Sequence, residues 1–111
     1  MSRKVSIIMN CHNGAKYLNE SINSILNQNY NNWELIFWDN KSDDLSKKIL
    51  FSFKDKRIKY YKSIFFLPLY AARNQALKKA KGDYITFLDA DDIWKKNKLN
   101  KQTQVMIKKN L

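Results

Sequence analysis

The sequence predicts an α/β fold in which alternating β-α units build a largely parallel sheet covered by helices on both faces. Short apolar runs rich in β-branched and aromatic residues alternate along the chain with segments whose apolar residues recur at helical spacing. The first run, Val5 to Met9, is almost continuously apolar, as is typical of a strand buried on both faces. Because strands that alternate with helices favour parallel pairing, the predicted order is βαβαβαβα.

The first β-α unit begins with the strand Val5 to Met9. A turn at Asn13-Gly14 follows, and the next segment, AKYLNESINSILNQ, has helical periodicity. Four apolar residues of this segment are spaced so that they share one face of a helix: Leu18, Ile22, Ile25 and Leu26.

The second unit begins with the stretch WELIFWD, which predicts a strand from Trp33 to Asp39. Ser42 and Asp43 follow, and both residue types cap helix N-termini. They predict a second helix with three apolar residues, Leu45, Ile49 and Phe53.

The second half of the chain repeats the pattern. The stretch IKYY, from Ile58, predicts a short third strand, and Pro68 is favoured in the first turn of a helix. Since Gly82 is a helix-stop signal, we predict a third helix from about Pro68 to Gly82. YITFL, from Tyr84, predicts the fourth strand, and a basic helix is expected from about Asn97 to Lys109.

Length and composition indicate the class of protein. With 111 residues and 44% hydrophobic content, the chain fits one domain over residues 1–111. Lysine and arginine number 21 against 10 acids, and the net charge of +11 favours anionic partners. The single cysteine, Cys11, excludes an internal disulfide, and the N-terminus has no apolar signal segment, so we expect a cytoplasmic setting. No run approaches the ~18 apolar residues of a membrane span.

Most of the acids form two clusters that each begin where a predicted strand ends. Their members are Asp39, Asp43 and Asp44 in the first cluster and Asp89, Asp91 and Asp92 in the second. Ligands of open α/β sheets bind in the crevice beyond the carboxyl ends of the strands. We therefore expect both clusters to border one crevice, together with the stretch MNCHNG after the first strand.

Clustered carboxylates repel each other, and a cation allows them to stay ionised together. Mg²⁺ or Mn²⁺ usually binds one or two protein carboxylates and completes its shell with water and phosphate oxygens. A divalent metal that bridges the acids to a diphosphate is one interpretation. The alternative is that DADD only complements a helix dipole.

Other residues of the crevice also have two interpretations. Asp43 and Asp44 are typical helix-start residues, and His12 could be a structural turn residue rather than a ligand. Cys11 is interpreted as a small buried residue, since nothing near it in the sequence marks a nucleophile.

Two long stretches, with the order and spacing of their motifs, carry a resemblance to a known family. They are VSIIMNCHNGAKYLNESINSILNQNYNNWELIFWDNKSDD and AARNQALKKAKGDYITFLDADDIW. The chain resembles the N-terminal, donor-binding half of a family 2 glycosyltransferase of the GT-A type, over nearly its whole length. The resemblance implies a Rossmann-like nucleotide-diphospho-sugar transferase half and a divalent metal, Mn²⁺ or Mg²⁺. It also implies transfer of the sugar to a hydroxyl with inversion at the anomeric carbon.

The resemblance assigns nucleotide-binding roles. Asp39 corresponds to the residue that accepts the N3–H of uracil; neutral cytosine has an acceptor there, so a carboxylate discriminates between the two bases. Cys11, His12 and Asn13 match the first nucleotide-contacting loop, where the family commonly has an aromatic residue that packs on the base, and imidazole is planar. Arg73, in the stretch ARN, matches the family's basic residue near the nucleotide.

The resemblance also assigns the metal site. Asp89 and Asp91 match the family's acid-x-acid motif, with Asp89 towards the ribose and Asp91 as the direct metal ligand. Ala90 lies between them in the nucleotide-sugar-binding stretch, and Asp92 is the adjacent acid.

The chain departs from the family pattern at several positions. Asn10 stands where the family usually has proline, Asn40-Lys41 replaces an acid-glycine pair, and the glycine common before ARN is missing. The family's acceptor half, with the carboxylate that deprotonates the incoming hydroxyl, lies beyond the matched region. No residue is therefore assigned as the catalytic base, and we expect one donor-binding domain without the acceptor half.

The implied partners are a nucleotide-diphospho-sugar, above all a UDP-sugar, and a saccharide or lipid-linked acceptor. Peripheral association with the inner face of the membrane is compatible with the basic surface. Nucleic acid is not expected, because the acidic crevice repels phosphates. Uncovered apolar sheet surface predicts a homo-oligomer.

Other functions remain open from the sequence. The chain could be a non-catalytic nucleotide-binding remnant or a basic binding module. A phosphoacceptor receiver domain fits less well, because its paired acids would follow the first strand, where this chain has NCHN.

Overall fold

The sheet has four strands in the order β3-β2-β1-β4, in a computed structural model that describes residues 3–109. The strands are β1 (Val5–Cys11), β2 (Trp33–Asp39), β3 (Ile58–Lys62) and β4 (Tyr84–Phe87). All three pairings are parallel, as predicted. The ends of the predicted domain, residues 1–2 and 110–111, lie outside the described residues.

The helices of the described residues alternate with the strands in the predicted order. They are α1 (Ala15–Leu26), α2 (Ser46–Ser52), α3 (Leu69–Leu77) and α4 (Lys98–Lys108). No helix in this part of the chain has the length and apolarity needed to cross a lipid bilayer.

Helices cover both faces of the sheet, which explains the apolar run of β1. Ile7 belongs to a core that α1, α2 and α4 cover with Ile22, Leu50 and Leu99. Ile8 belongs to a second core, which α3 covers with Ala72 and Ala76. Because successive side chains of a strand point to opposite faces, a strand between two cores needs apolar residues at every position.

The start of α2 differs from the prediction. Ser42 and Asp43 do not cap this helix, which begins at Ser46 and has no side-chain cap at its first position. Asp44 instead accepts hydrogen bonds from the backbone N–H of Ser46 at 2.9 Å and of Ala15 at 3.1 Å. Burial alone would raise the pKa of Asp44, but hydrogen bonds from the side chain and backbone of Ser46 and from the backbone of Ala15 hold it below its usual value. One carboxylate thus serves the N-termini of both α1 and α2.

The end of α3 also differs from the prediction. The helix ends at Leu77 and not at Gly82. The ladder tightens after Leu77, because the backbone N–H groups of Lys79 and Ala80 donate to carbonyls three residues back, at 3.0 and 3.1 Å. The next two donors then leave the helix: the N–H of Lys81 donates to buried Glu34 at 2.7 Å, and that of Gly82 donates to Ser6 Oγ at 2.8 Å.

Candidate functional site

Three carboxylates lie together at the carboxyl end of β4. Asp89, Asp91 and Asp92 are exposed, and one oxygen of each lies within 4.8 Å of the others. The backbone N–H of Asp92 donates to the carbonyl of Asp89 at 3.0 Å, so a tight turn brings the three together. Ala90 packs against the core, and the acids on either side of it therefore remain at the surface.

This cluster fits a hard divalent cation, because carboxylate oxygens are the protein ligands of Mg²⁺ and Mn²⁺. The alternative interpretation, that the acids complement a helix dipole, is wrong for the helix that follows. That helix, α4, begins at Lys98 and has no acid in its first turn. Dipole stabilisation falls off within the first turn.

Helix α3 places a positively charged side chain, that of Arg73, beside the carboxylate cluster. Arg73 Nη2 lies 4.0 Å from Asp89 Oδ1, and the guanidinium carbon lies 5.2 Å from the centre of the Phe87 ring. Both charged side chains are largely exposed, at 41% for Arg73 and 68% for Asp89. An exposed pair of this kind contributes at most about 1 kcal/mol to stability. Arg73 is therefore of interest for the positive charge that it places beside the carboxylates.

Asp39 ends β2 at the same edge of the sheet and is only 4% exposed. Its Oδ2 accepts a hydrogen bond from the Tyr60 hydroxyl at 2.7 Å, and its Oδ1 accepts one from the backbone N–H of Ser42 at 2.9 Å. A buried carboxylate is tolerable only with such partners. The sequence did not indicate Tyr60, which lies in β3.

The loop after β1 lies between these two groups of acids. His12 donates from Nδ1 to the carbonyl of Asn40 at 2.7 Å, and its side chain is exposed. Asn13 has a positive φ of 53° and accepts a hydrogen bond from the backbone N–H of Asp43 at 2.8 Å. Asparagine tolerates this left-handed conformation better than most residues.

Gly14 allows this loop to approach the turn that carries Asp89, Asp91 and Asp92. A Cβ on Gly14 would lie 2.9 Å from Cys11 Sγ and 3.3 Å from the Ala90 methyl group. A methyl group there would crowd both neighbours, so glycine gives the closest approach of the loop to the DAD stretch.

Cys11 is buried, at 1% exposure, and packs in the core that α1 covers. It belongs to β1, which extends beyond the predicted end at Met9. Burial raises the pKa of its thiol, although a hydrogen bond to Ser46 lowers it in part. The interpretation of Cys11 as a small buried residue is confirmed.

Asn40, which replaces the acid of the family pattern, has a structural role. It is 6% exposed; its Nδ2 donates to the Leu67 carbonyl at 2.8 Å, and its Oδ1 accepts from the Leu67 N–H at 2.9 Å. A carboxylate could accept but not donate here. Lys41 keeps a left-handed backbone, with φ of 56°, where the family has glycine.

A parallel α/β sheet that gathers polar and acidic side chains at the carboxyl ends of its strands defines a Rossmann-like α/β fold, and ligands of such folds bind at that edge of the sheet. Residues 6–111 match the family model described as Glycosyl transferase family 2. The chain therefore belongs to that family, and it has the GT-A fold of the family's N-terminal half.

Similar proteins support this membership. One is the Escherichia coli UDP-Glc:alpha-D-GlcNAc-diphosphoundecaprenol beta-1,3-glucosyltransferase WfgD, 44% identical over 96% of this chain and 42% of its own length. Another is the putative teichuronic acid biosynthesis glycosyltransferase TuaG of Bacillus subtilis, 37% identical over 96% of this chain and 43% of its own. The chain thus spans less than half the length of these relatives.

Among solved structures, residues 1–349 of TarS from S. aureus in complex with UDP-GlcNAc superpose with a TM-score of 0.89. That protein is 28% identical, over 95% of this chain and 31% of the solved chain.

Proposed function

We propose that this chain forms the donor- and metal-binding half of a glycosyltransferase that transfers sugar from a UDP-sugar to an acceptor hydroxyl, with inversion. The observation that carries the proposal is the group of three carboxylates, with oxygens within 4.8 Å of one another, at the same sheet edge as Asp39. The name of WfgD specifies UDP-Glc, and TarS was solved with UDP-GlcNAc, which supports a uridine nucleotide.

Asp91 and Asp89 would hold Mn²⁺ or Mg²⁺. When bound, the metal supplies a Lewis acid that stabilises the departing nucleotide diphosphate. Arg73 is 4.0 Å from Asp89 and adds a permanent positive charge for the same phosphates.

Asp39 would read the nucleobase. Each of its oxygens accepts one hydrogen bond within the protein, and an ionised carboxylate has about four lone-pair positions, so the group retains capacity for the uracil N3–H. Tyr60 and Ser42 hold the carboxylate in one orientation, which avoids an ordering cost when the base binds.

The chemistry of inversion defines what the rest of the site must do. The acceptor oxygen attacks the anomeric carbon from the face opposite UDP, the bond to the diphosphate breaks, and the hydroxyl proton passes to a base. We assign that base to no residue of 3–109. The acceptor would be a saccharide or a lipid-linked saccharide, since the name of WfgD specifies a diphosphoundecaprenol-linked substrate. The net charge of +11 would favour the cytoplasmic face of the membrane, where anionic lipids attract basic residues.

Calorimetry with UDP, in Mn²⁺ and in chelator, tests the metal site. Diphosphate and carboxylates repel each other until a cation bridges them, so UDP should bind more tightly with metal. Asp91→Asn should largely abolish this metal dependence and leave the fold intact, because Asp91 is exposed. Asp83→Asn, the same change beside the N-terminal end of β4, is the matched control and should keep it.

The same titrations with CDP test the base assignment. Asp39→Asn should erode the preference for UDP over CDP by about 1–3 kcal/mol, the cost of a mismatched polar group. Circular dichroism must first show that this buried variant is folded. Equal UDP binding in chelator, or none at millimolar nucleotide by folded protein, would refute the donor-site assignment.

A further inference from the structure

An open groove of about 770 Å³ runs along one side of α4 and of the segment that precedes this helix. Its apolar atoms come from Ile93, Trp94, Val105 and Met106. Ile93 and Val105 are 61% and 51% exposed. Helix α4 therefore has two apolar sides, because Leu99 is buried in the core while Val105 faces this α4 groove.

Lysines surround the apolar residues of the α4 groove. Within residues 3–109, none of the residues that line the groove is acidic, and four are lysines: Lys95, Lys98, Lys101 and Lys109. Lys98 Nζ lies 5.3 Å from the centre of the Trp94 ring. A lysine can cover apolar surface with its alkyl stem and keep its ammonium group in water. The groove thus offers apolar contact and positive charge to the same ligand.

Gln28, at the end of α1, fixes the start of the groove. It is 5% exposed; its Nε2 donates to the Lys95 carbonyl at 2.6 Å, and its Oε1 accepts from the backbone N–H of Leu99 at 3.0 Å. The backbone N–H of Asn29 also donates to the Lys96 carbonyl at 3.0 Å. The segment that carries Trp94 is therefore held against α1 before any partner binds, which reduces the entropy lost on binding.

Charge decides which partner fits the α4 groove. A second copy of the chain in a symmetric contact would set lysines against lysines, which is unfavourable. A bilayer with anionic lipids has phosphates at its surface and hydrocarbon directly below them, so it matches both features of the groove. Tryptophan also suits this boundary, because its ring is apolar and its N–H is polar.

We propose that the α4 groove is the surface with which this chain binds anionic membranes. Trp94 and Val105 enter the boundary between headgroups and acyl chains, and the lysines contact the lipid phosphates. Because Ile93 directly follows Asp92, a membrane bound here lies beside the carboxylate cluster. This inference rests on the membrane location and lipid-linked acceptor proposed above, and it names the surface responsible.

The first test measures binding to vesicles of phosphatidylcholine alone and with about 30% phosphatidylglycerol, an anionic lipid. Wild type should bind only the anionic vesicles, and more weakly as salt is added. Each lysine near such a surface contributes about fivefold in affinity, so the double variant Lys101→Gln, Lys109→Gln should bind about 25-fold more weakly.

The matched control is the double variant Lys54→Gln, Lys56→Gln. It has the same net charge as the groove variant, but its exposed lysines precede β3, at the opposite edge of the sheet from β4. It should lose less than about twofold in affinity, since charges beyond a screening length of about 10 Å contribute little. Circular dichroism of all variants should match wild type, because the substituted side chains are exposed.

The second test measures how deeply Trp94 enters the bilayer. Trp33 and Trp38 are 2% and 8% exposed, so lipids with bromine atoms on their acyl chains should quench the fluorescence of Trp94 alone among the three tryptophans. Interfacial apolar side chains reach about 5–10 Å into the headgroup and acyl boundary, within range of such bromine atoms. Trp94→Phe should still bind the anionic vesicles and should show no quenching.

Several results would overturn the proposal. The groove variant could bind as tightly as wild type, the control could lose as much, or bound protein could show no quenching by brominated lipid. If soluble polyglutamate binds as tightly as the anionic vesicles and Trp94 is not quenched, the α4 groove takes an acidic protein and the membrane assignment is wrong.

UDP titrations in Mn²⁺ on the same proteins separate this inference from the proposed donor site. If wild type binds UDP with metal but binds neither kind of vesicle, the membrane surface fails and the donor site stands. If the vesicles bind as expected and UDP does not, the donor site fails and the membrane surface stands. The groove variant should bind UDP as wild type does, since neither Lys101 nor Lys109 belongs to the crevice.

Discussion

At the scale of single residues, the hydrogen bond from Tyr60 to Asp39 links stability to the site. Burial raises the pKa of Tyr60, and the hydrogen bond to the Asp39 carboxylate raises it further. The phenol therefore remains a proton donor across the ordinary pH range. A donor of this kind lets a carboxylate at 4% exposure stay buried at the end of β2.

Tyr60→Phe should lower the free energy of unfolding by about 1.5–3 kcal/mol, the contribution of a hydrogen bond to a charged group. The phenol ionises near pH 10 in the unfolded chain and at higher pH in the folded protein. Its contribution is thus complete below about pH 10 and is lost as pH rises towards the folded pKa. Urea unfolding of both proteins at neutral and at high pH measures this difference. If the difference in free energy of unfolding between the two proteins does not narrow at high pH, the proposed link to the ionisation of Tyr60 is wrong.

The sequence predicts only part of the site at this scale. Acids at strand ends are visible in a single sequence, and Asp39, Asp89 and Asp91 lie at such ends. The roles of Tyr60 and Asn40 were not visible, because their partners are 21 and 27 residues away and the contacts depend on how strands and loops meet. No local pattern indicates such a contact.

At the scale of elements, the sequence prediction was wrong at helix ends, where hydrogen bonds that no sequence pattern shows determine the boundary. Periodicity gave the order of strands and helices, since each apolar run faces a core. Gly82 was interpreted as a helix stop, but α3 ends at Leu77. The glycine is needed for a different reason: a Cβ on Gly82 would lie 2.7 Å from the backbone nitrogen of Ser6 and 2.8 Å from the carbonyl of Lys4.

Gly82→Ala should therefore destabilise the fold by about 1–3 kcal/mol or more, because the atoms that the new methyl group would meet belong mainly to the backbone of β1 and its approach. Gly14→Ala makes the same chemical change and is the matched comparison. Its methyl group would lie 2.9 Å from Cys11 Sγ and 3.3 Å from the Ala90 methyl group, which are fewer and longer contacts than those at Gly82, so its loss should be smaller. Urea unfolding of wild type and the two variants measures which substitution lowers the free energy of unfolding more. A Gly82→Ala protein as stable as wild type would show that β1 can shift.

At the scale of the whole molecule, exposed apolar surface and net charge have opposite effects on self-association. Strands β3 and β4 lie at the edges of the described sheet, and Ile85 and Phe87 of β4 are 43% and 44% exposed. Edge strands and contiguous apolar surface favour association. The net charge of +11 opposes it through mutual repulsion, which salt screens.

We therefore expect the chain to self-associate, and to do so more strongly at high salt. Sedimentation at tens of micromolar protein, in about 0.02 M and about 0.5 M salt, measures both effects, because the screening length falls severalfold across that range. Ile85→Lys places a charge on the exposed face of β4 and should shift the chain towards monomer. Leu45→Lys, at a site 62% exposed before α2, makes the same kind of change and should have little effect. A single monomeric species at both salt concentrations would contradict this prediction. It would mean that the exposed apolar surface is too small to hold two copies of the chain together.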